Sequence, residues 1–100
     1  MPKPKENEKH TIILPRSGRG VKEIASLFKR RRQQLQKTIQ KLSISPTDYR
    51  KKGIEKLDNS VLGQYTIRVS KGDRLFYDVD EKNKKVYVLR AGKHDLYKLI

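Results

Sequence analysis

The sequence has no cysteine, which excludes disulfides, thiolate metal sites and a cysteine nucleophile. Histidine is almost as scarce. His10 and His94 are the only two, too far apart in sequence to give any metal-ligand spacing, so neither a metal nor another cofactor is expected. Tryptophan is missing, and no apolar run approaches a signal-peptide core or a membrane span. These absences predict a soluble, cytoplasmic chain with no membrane partner. Negative charge is also short: 11 Asp+Glu stand against 25 Lys+Arg, a net charge of +14. An ordinary solubilising surface mixes its signs more evenly. An excess this large favours an anionic partner, most simply nucleic acid, through phosphate contacts and counterion release.

What remains is enough for one domain with an economical core, since 100 residues hold 34% hydrophobic against 36% charged side chains. Residues 1–9 (MPKPKENEK) show two prolines and no apolar periodicity, and read as a flexible tail before a domain over 10–100. His10 to Leu14 is a short β-branched run stopped by Pro15, hence a first strand with His10 as its solvated end. Ser17-Gly18-Arg19-Gly20 reads as a flexible turn; it has a faint likeness to a phosphate-cradling loop but lacks GxxxxGK[ST]. From Val21 to Ser43 the pattern is helical, with Val21, Ile24, Ala25 and Phe28, then Leu35, Ile39 and Leu42, on apolar stripes. Lys29-Arg30-Arg31-Arg32 interrupts them, as a solvated corner or a contact for phosphate or an acidic partner. Either one helix is wetted in its middle or two helices meet near Lys29, and a hairpin covers one sheet face better than a long rod. Ser45-Pro46 ends the helical region. Thr47 to Gly63 is basic, then loop-like, with Ile54 and Leu57 pinning it to the core.

The last third organises the rest. Tyr65, Ile67 and Val69 alternate with Thr66, Arg68 and Ser70, the period of a strand with one buried face. Lys71-Gly72-Asp73 is turn chemistry. Leu75, Tyr77 and Val79 then share one face, with Arg74, Phe76 and Asp78 on the other. After a polar loop, Val86 to Leu89 suits a central strand. Loops this short demand an antiparallel meander. The predicted fold is α+β in one domain, a first strand and helical hairpin packed on an antiparallel sheet in the order β-α-α-β-β-β. Phe28, Leu35, Ile39 and Leu42 should meet Ile67, Val69, Leu75 and Tyr77. Arg68 and Arg74 should share the exposed face, with Arg90 and Lys93 nearby.

That order, together with Gln64-Tyr65-Thr66-Ile67-Arg68-Val69, Asp73-Arg74-Leu75-Phe76-Tyr77-Asp78-Val79 and Leu89-Arg90-Ala91-Gly92-Lys93-His94-Asp95-Leu96-Tyr97, resembles the RelE/ParE superfamily of bacterial type II toxin–antitoxin toxins. The second segment is similar to the family's YR(L/V)(V/I)Y strand, with Asp73 where an aromatic is usual. The third is similar to the R-T-G-x-H-x-D-L-F ending of the YafQ branch, shortened by one residue between His94 and Asp95. The resemblance implies a metal-independent endoribonuclease, an mRNA interferase cutting in the ribosomal A site, with mRNA, the ribosome and a cognate acidic antitoxin as partners. Carried over by position, it implies that Arg74 contacts the scissile phosphate, Arg68 is a basic site residue, His94 transfers protons, and Tyr97 stacks on a base or aids proton transfer. Lys71, Arg90, Lys93, Lys51 and Lys52 would bind RNA. Thr66 departs from the pattern, replacing a lysine that RelE uses.

Such cleavage uses a 2′-OH to attack its own phosphate, leaving a 2′,3′-cyclic phosphate and a free 5′-OH. It needs a proton acceptor, a proton donor and cations on the transition state. Histidine suits the first two tasks and arginine the third. No second histidine or carboxylate clearly completes the acid–base pair; Asp73 and Asp95 are candidates by position, yet suit turn and capping roles better. Two alternatives stay open. One is a non-catalytic ParE-like toxin acting on DNA gyrase. The other is a basic RNA-binding or ribosomal protein without activity, although Phe76 and Tyr97 form no RRM-type aromatic motif.

Overall fold

In the computed structural model, residues 9–48, 53–57 and 62–93 are described. Strand β1 (Thr11–Ile13) leads into helices α1 (Gly18–Arg30) and α2 (Arg32–Ile44), then strands β2 (Ile54–Lys56), β3 (Tyr65–Arg68), β4 (Asp73–Asp80) and β5 (Lys85–Lys93). They form one five-stranded sheet in the order β1-β5-β4-β3-β2. The meander β3–β4–β5 is antiparallel as the sequence predicts. Two features are additional. Ile54–Lys56 pairs with β3 as an edge strand where a loop was expected, and β1 runs parallel to β5, so the sheet is mixed. The helical hairpin is what lets β1 run parallel, because it supplies the long crossover that parallel strands require.

Pairing register carries the core. Ile54, Ile67, Leu75 and Ala91 stand side by side across four strands, and Tyr65, Tyr77 and Val88 form a neighbouring row. Leu27, Leu35 and Leu42 close this face from the helical side, with Ile24 and Ile39 partly buried against it. Tyr77 donates its hydroxyl to the Pro46 carbonyl at 2.7 Å and stacks on Tyr65, centroids 5.7 Å apart. The predicted helical stripe is shifted by one residue on α1. Leu27 is 1% exposed whereas Phe28 is 43% exposed, so Phe28 does not join the core. The cause lies at the start of the helix. Ser17 caps it, its Oγ accepting the Gly20 N–H at 3.0 Å, so Gly18 to Gly20 is the first turn and not a flexible loop. A Cβ on Gly20 would fall 2.6 Å from the Leu89 carbonyl oxygen. Only glycine lets α1 lie that close to β5, and this fixes Gly20, Ile24 and Leu27 as the inner stripe.

Arg31 breaks the helices, with φ −136° and ψ 48°. A continuous helix would carry Arg31 and Arg32 along the apolar stripe, and burying them unpaired is costly. The break turns them outward. Arg30 and Arg31 approach Asp73 at 3.4 and 3.7 Å, and Arg32 lies over the Phe28 ring at 5.1 Å. The basic run is thus a clamp between the hairpin and the β3–β4 turn as well as a solvated corner. His10 departs from expectation too. It is buried, its Nε2 3.1 Å from Glu81 and its backbone N–H donating to Ser43, so it ties β1 to the sheet and to α2.

Candidate functional site

The sheet face opposite the helices carries the candidate site. Directly paired residues of antiparallel strands share a face. Arg68, Arg74 and Gly92 therefore form one row there, and Glu55, Thr66 and Phe76 the adjacent one. Thr66 and Phe76 are fully buried, and Leu62 is buried with them, so this face is only partly open. Thr66 Oγ1 donates to the Leu75 carbonyl at 2.8 Å. Its hydroxyl stiffens the β3–β4 pair, which is a role a lysine could not fill.

Arg68 is exposed, as expected. Arg74 is not. Its exposure is 3%, which corrects the expectation of an open sheet position. The reason is lateral cover. The side chain lies down across β3 towards β2 and places Nη2 3.4 Å from Glu55 Oε1. Glu55, which the sequence reading left inside a loop, is half-exposed. Arg74 Nη1 is buried with no hydrogen-bond partner among the described residues. A buried guanidinium with one long ion pair and an empty N–H has lost its water without full replacement. Arg68 stands directly opposite Arg74 in the register, and like charges facing each other across a strand pair repel. Of the two guanidinium groups, that of Arg68 is open to an anion from solvent, whereas that of Arg74 is covered.

Beneath this pair the turn is held rigidly. Asp73 accepts from Ser70 Oγ at 2.7 Å and from Arg30 at 3.4 Å. Burial pushes the Asp73 carboxyl up, but Ser70 and the Arg30 and Arg31 guanidinium groups outweigh it and hold it below the usual aspartate value. It stays ionised as a structural anchor, the turn role expected of it. Lys71 is exposed at the tip of this turn. Lys93 is exposed but pairs with Asp73 in the register, so it belongs to the helical face and does not join Arg74.

Arg90, another of the expected RNA-binding residues, is engaged with α1. A bulge between Phe76 and Tyr77 pairs Phe76 with Arg90 and Tyr77 with Val88, leaving Leu89 as the extra residue. The Arg90 guanidinium meets Glu23 of α1 in a bidentate pair, Nε at 2.6 Å and Nη2 at 2.8 Å. Held in this way, it locks α1 to β5. Burial opposes ionisation of Glu23, but Arg90 and the Ala91 N–H outweigh that and lower its pKa. Burial pushes the Tyr77 hydroxyl far above the ordinary tyrosine range, and it donates to the Pro46 carbonyl. His94, Tyr97, Asp95, Lys51 and Lys52 lie outside the described residues. Among the described residues no three His, Asp or Glu side chains gather where a metal ion could be held, and no helix is long and apolar enough to cross a membrane.

Sequence reasoning missed Glu55. A signal existed in Ile54-Glu55-Lys56, a short alternation just after Gly53, but three residues are too few to announce a strand. The structure sets Arg74 beside Glu55 and opposite Arg68, places Arg90 in the Glu55 row with its guanidinium turned to Glu23, and puts Lys93 on the helical face.

No protein-family model matches the sequence, and no curated protein matches it significantly. Among solved structures, the chain is similar to one in the RelBE2 toxin–antitoxin complex from Mycobacterium tuberculosis. The TM-score is 0.53 at 15% sequence identity, over 86% of this chain and 99% of that one. At that identity the likeness establishes the fold, a RelE-like α+β domain.

Proposed function

We propose that this chain is the toxin of a toxin–antitoxin pair, and that it cleaves mRNA by 2′-OH attack on the adjacent phosphate in the ribosomal A site. The observation that carries this is Arg74, buried with Nη1 unpaired among the described residues, facing Arg68 across the strand pair in a RelE-like fold. The two guanidinium groups would grip the scissile phosphate and stabilise charge that grows as the phosphorane forms. Glu55 is the carboxylate beside Arg74 and half-open to solvent. It is placed to accept the 2′-OH proton, the role for which the sequence offered no clear residue. His94 would protonate the leaving 5′-oxygen and Tyr97 would stack on a base, both as the family resemblance implies. Lys71 would add a phosphate contact from the turn, and Lys51 and Lys52 would add others. The RelBE2 neighbour is a complex of toxin with antitoxin, which supports a cognate antitoxin for this chain; the net charge of +14 suits an acidic one. The cytoplasm, where ribosomes work, is the matching location.

Induced expression tests the reading. Growth should stop with ribosome-dependent cuts in mRNA, and both effects should vanish in His94→Ala. Growth arrest without cuts, together with inhibited DNA supercoiling, would favour a ParE-like toxin instead.

A further inference from the structure

Arg68 and Arg74 form the last pair of the β3–β4 register, so two like charges face each other where the ladder gives way to its turn. Repulsion there favours fraying. The contacts of Arg74 on its own face do little to prevent it. Its guanidinium meets Glu55 at 3.4 Å, and Nη1 has no hydrogen-bond partner among the described residues. On β5 its neighbour is Gly92, which has no side chain to brace it. The rung needs a hold from the other face.

Asp73 supplies that hold. Successive residues of a strand point to opposite faces, so the carboxylate before Arg74 lies on the helical side. It is buried there, and three groups converge on it: Ser70 Oγ at 2.7 Å, Arg30 at 3.4 Å and Arg31 at 3.7 Å. Ser70 belongs to the turn, while Arg30 and Arg31 form the corner where α1 breaks into α2. The turn backbone is tied at the same place, since Val69 and Ser70 both donate N–H to the Asp73 carbonyl, at 2.9 and 3.2 Å. A cleft of about 330 Å³, with Leu27, Arg30, Asp73 and Gly92 in its lining, lies between α1 and these strand ends. Charge bridges that gap. One exposed ion pair would add little, but two guanidinium groups on one buried carboxylate make a network.

We propose that Asp73 is a positioning residue for the cleavage site: gripped by the helical corner, it keeps the last β3–β4 rung closed and Arg74 in place opposite Arg68. The carboxylate stays on the helical face and touches no RNA. Its effect on rate rests on the cleavage reading given above; its effect on Arg74 does not.

The test separates the two. Asp73→Asn keeps the shape and the bond from Ser70 and removes the charge. Arg30→Gln combined with Arg31→Gln removes the grip from the other side. In the full chain, isotope-labelled in its arginines and followed by NMR, the buried Arg74 Nε–H should exchange slowly with water, its signal assigned by its loss in Arg74→Met. Each variant should speed that exchange by at least about tenfold, because opening of the rung is what exposes it. The Val86 and Val88 amides of β5 should keep their wild-type exchange. All three changes combined should act no more strongly than either set alone, since they open one latch. On programmed ribosomes, Asp73→Asn should slow the chemical step about tenfold at saturation and leave the half-saturating concentration unchanged.

Unchanged Arg74 exchange in both variants, or additive effects when they are combined, would overturn the proposal. Equal acceleration at Val86 and Val88 would overturn it too, by making Asp73 a general stabiliser. So would faster Arg74 exchange with an undiminished cleavage rate. A wild type that cuts no mRNA would instead sink the cleavage reading, because the exchange of Arg74 is read without RNA.

Discussion

Glu23 and Arg90, 67 residues apart in sequence, meet through two hydrogen bonds of 2.6 and 2.8 Å, and Glu23 Oε1 also accepts the Ala91 N–H at 3.3 Å. β1 pairs with β5 only as far as Tyr87, so the outer edge of β5 beyond that point needs another cover. The Glu23 carboxylate supplies it, answering one backbone N–H and the neighbouring guanidinium together. Glu23→Gln should therefore cost about 1–3 kcal/mol in stability, the usual range for leaving a partly buried charged group short of its partner. Denaturant unfolding measures it. A change near zero would mean that the pair adds nothing beyond Gly20 contact.

Acid should weaken the fold through the same carboxylates. Glu23 and Asp73 both have folded pKa values below their ordinary values of 4.5 and 3.8. In the unfolded chain they bind protons more readily than in the folded one, so stability is fully present above these ordinary values. It is lost as pH falls through the lower folded ones. Melting temperature should hold steady from neutral pH to roughly 4.5 and fall below it, with a shallower fall in Glu23→Gln. A melting temperature that rises towards acid would contradict this.

The one-residue shift of the α1 stripe gives a paired test. Leu27→Ala should cost about 2–5 kcal/mol, since it opens a cavity under a fully buried side chain. Phe28→Ala should cost under about 1 kcal/mol, because its ring faces solvent and the Arg32 guanidinium. Equal losses from urea melts would place the stripe wrongly.

Arg74 separates charge from packing. Truncation to alanine would empty a buried position, so lost activity would be ambiguous. Arg74→Met keeps most of the stem and removes the charge. Replacing a buried, poorly paired ion by an apolar side chain is often neutral or stabilising by about 1–4 kcal/mol. Glu55, half-exposed, keeps its water. The variant should melt no lower than the wild type and should not arrest growth. A large drop in melting temperature would show that Arg74 is needed for the fold.

The meander was legible because alternation, turn chemistry and loop length all agree: Tyr65 to Val69 and Leu75 to Val79 could face the core in only one register. The basic run at Lys29–Arg32 showed that the apolar stripe is interrupted, and only sheet cover together with the family resemblance favoured a hairpin over one helix wetted in its middle. What escaped depends on contacts between distant segments. Phe28 and Leu27 are equally apolar, and only the approach of Gly20 to Leu89 decides between them. Arg74 and Arg90 are both strand arginines, and nothing local reveals that one lies beneath Glu55 and the other is gripped by Glu23. β2 is three residues long and exists because β3 offers it an edge.

The central claim is that Arg68, Arg74 and Glu55 form one phosphate-cleaving site. Arg68 and Glu55 are open enough to change without damage to the core. The most direct measurement is the single-turnover cleavage of end-labelled mRNA on programmed ribosomes, comparing wild type, Arg68→Ala and Glu55→Gln, with the new RNA ends identified. The wild type should leave a 2′,3′-cyclic phosphate, and Glu55→Gln should slow cleavage by about 10²–10⁴-fold, the range for loss of a general base. Arg68→Ala should slow it by at least about tenfold, with its effect concentrated in the chemical step. Wild-type rates in both variants, or cut ends bearing a 5′-phosphate, would contradict the site.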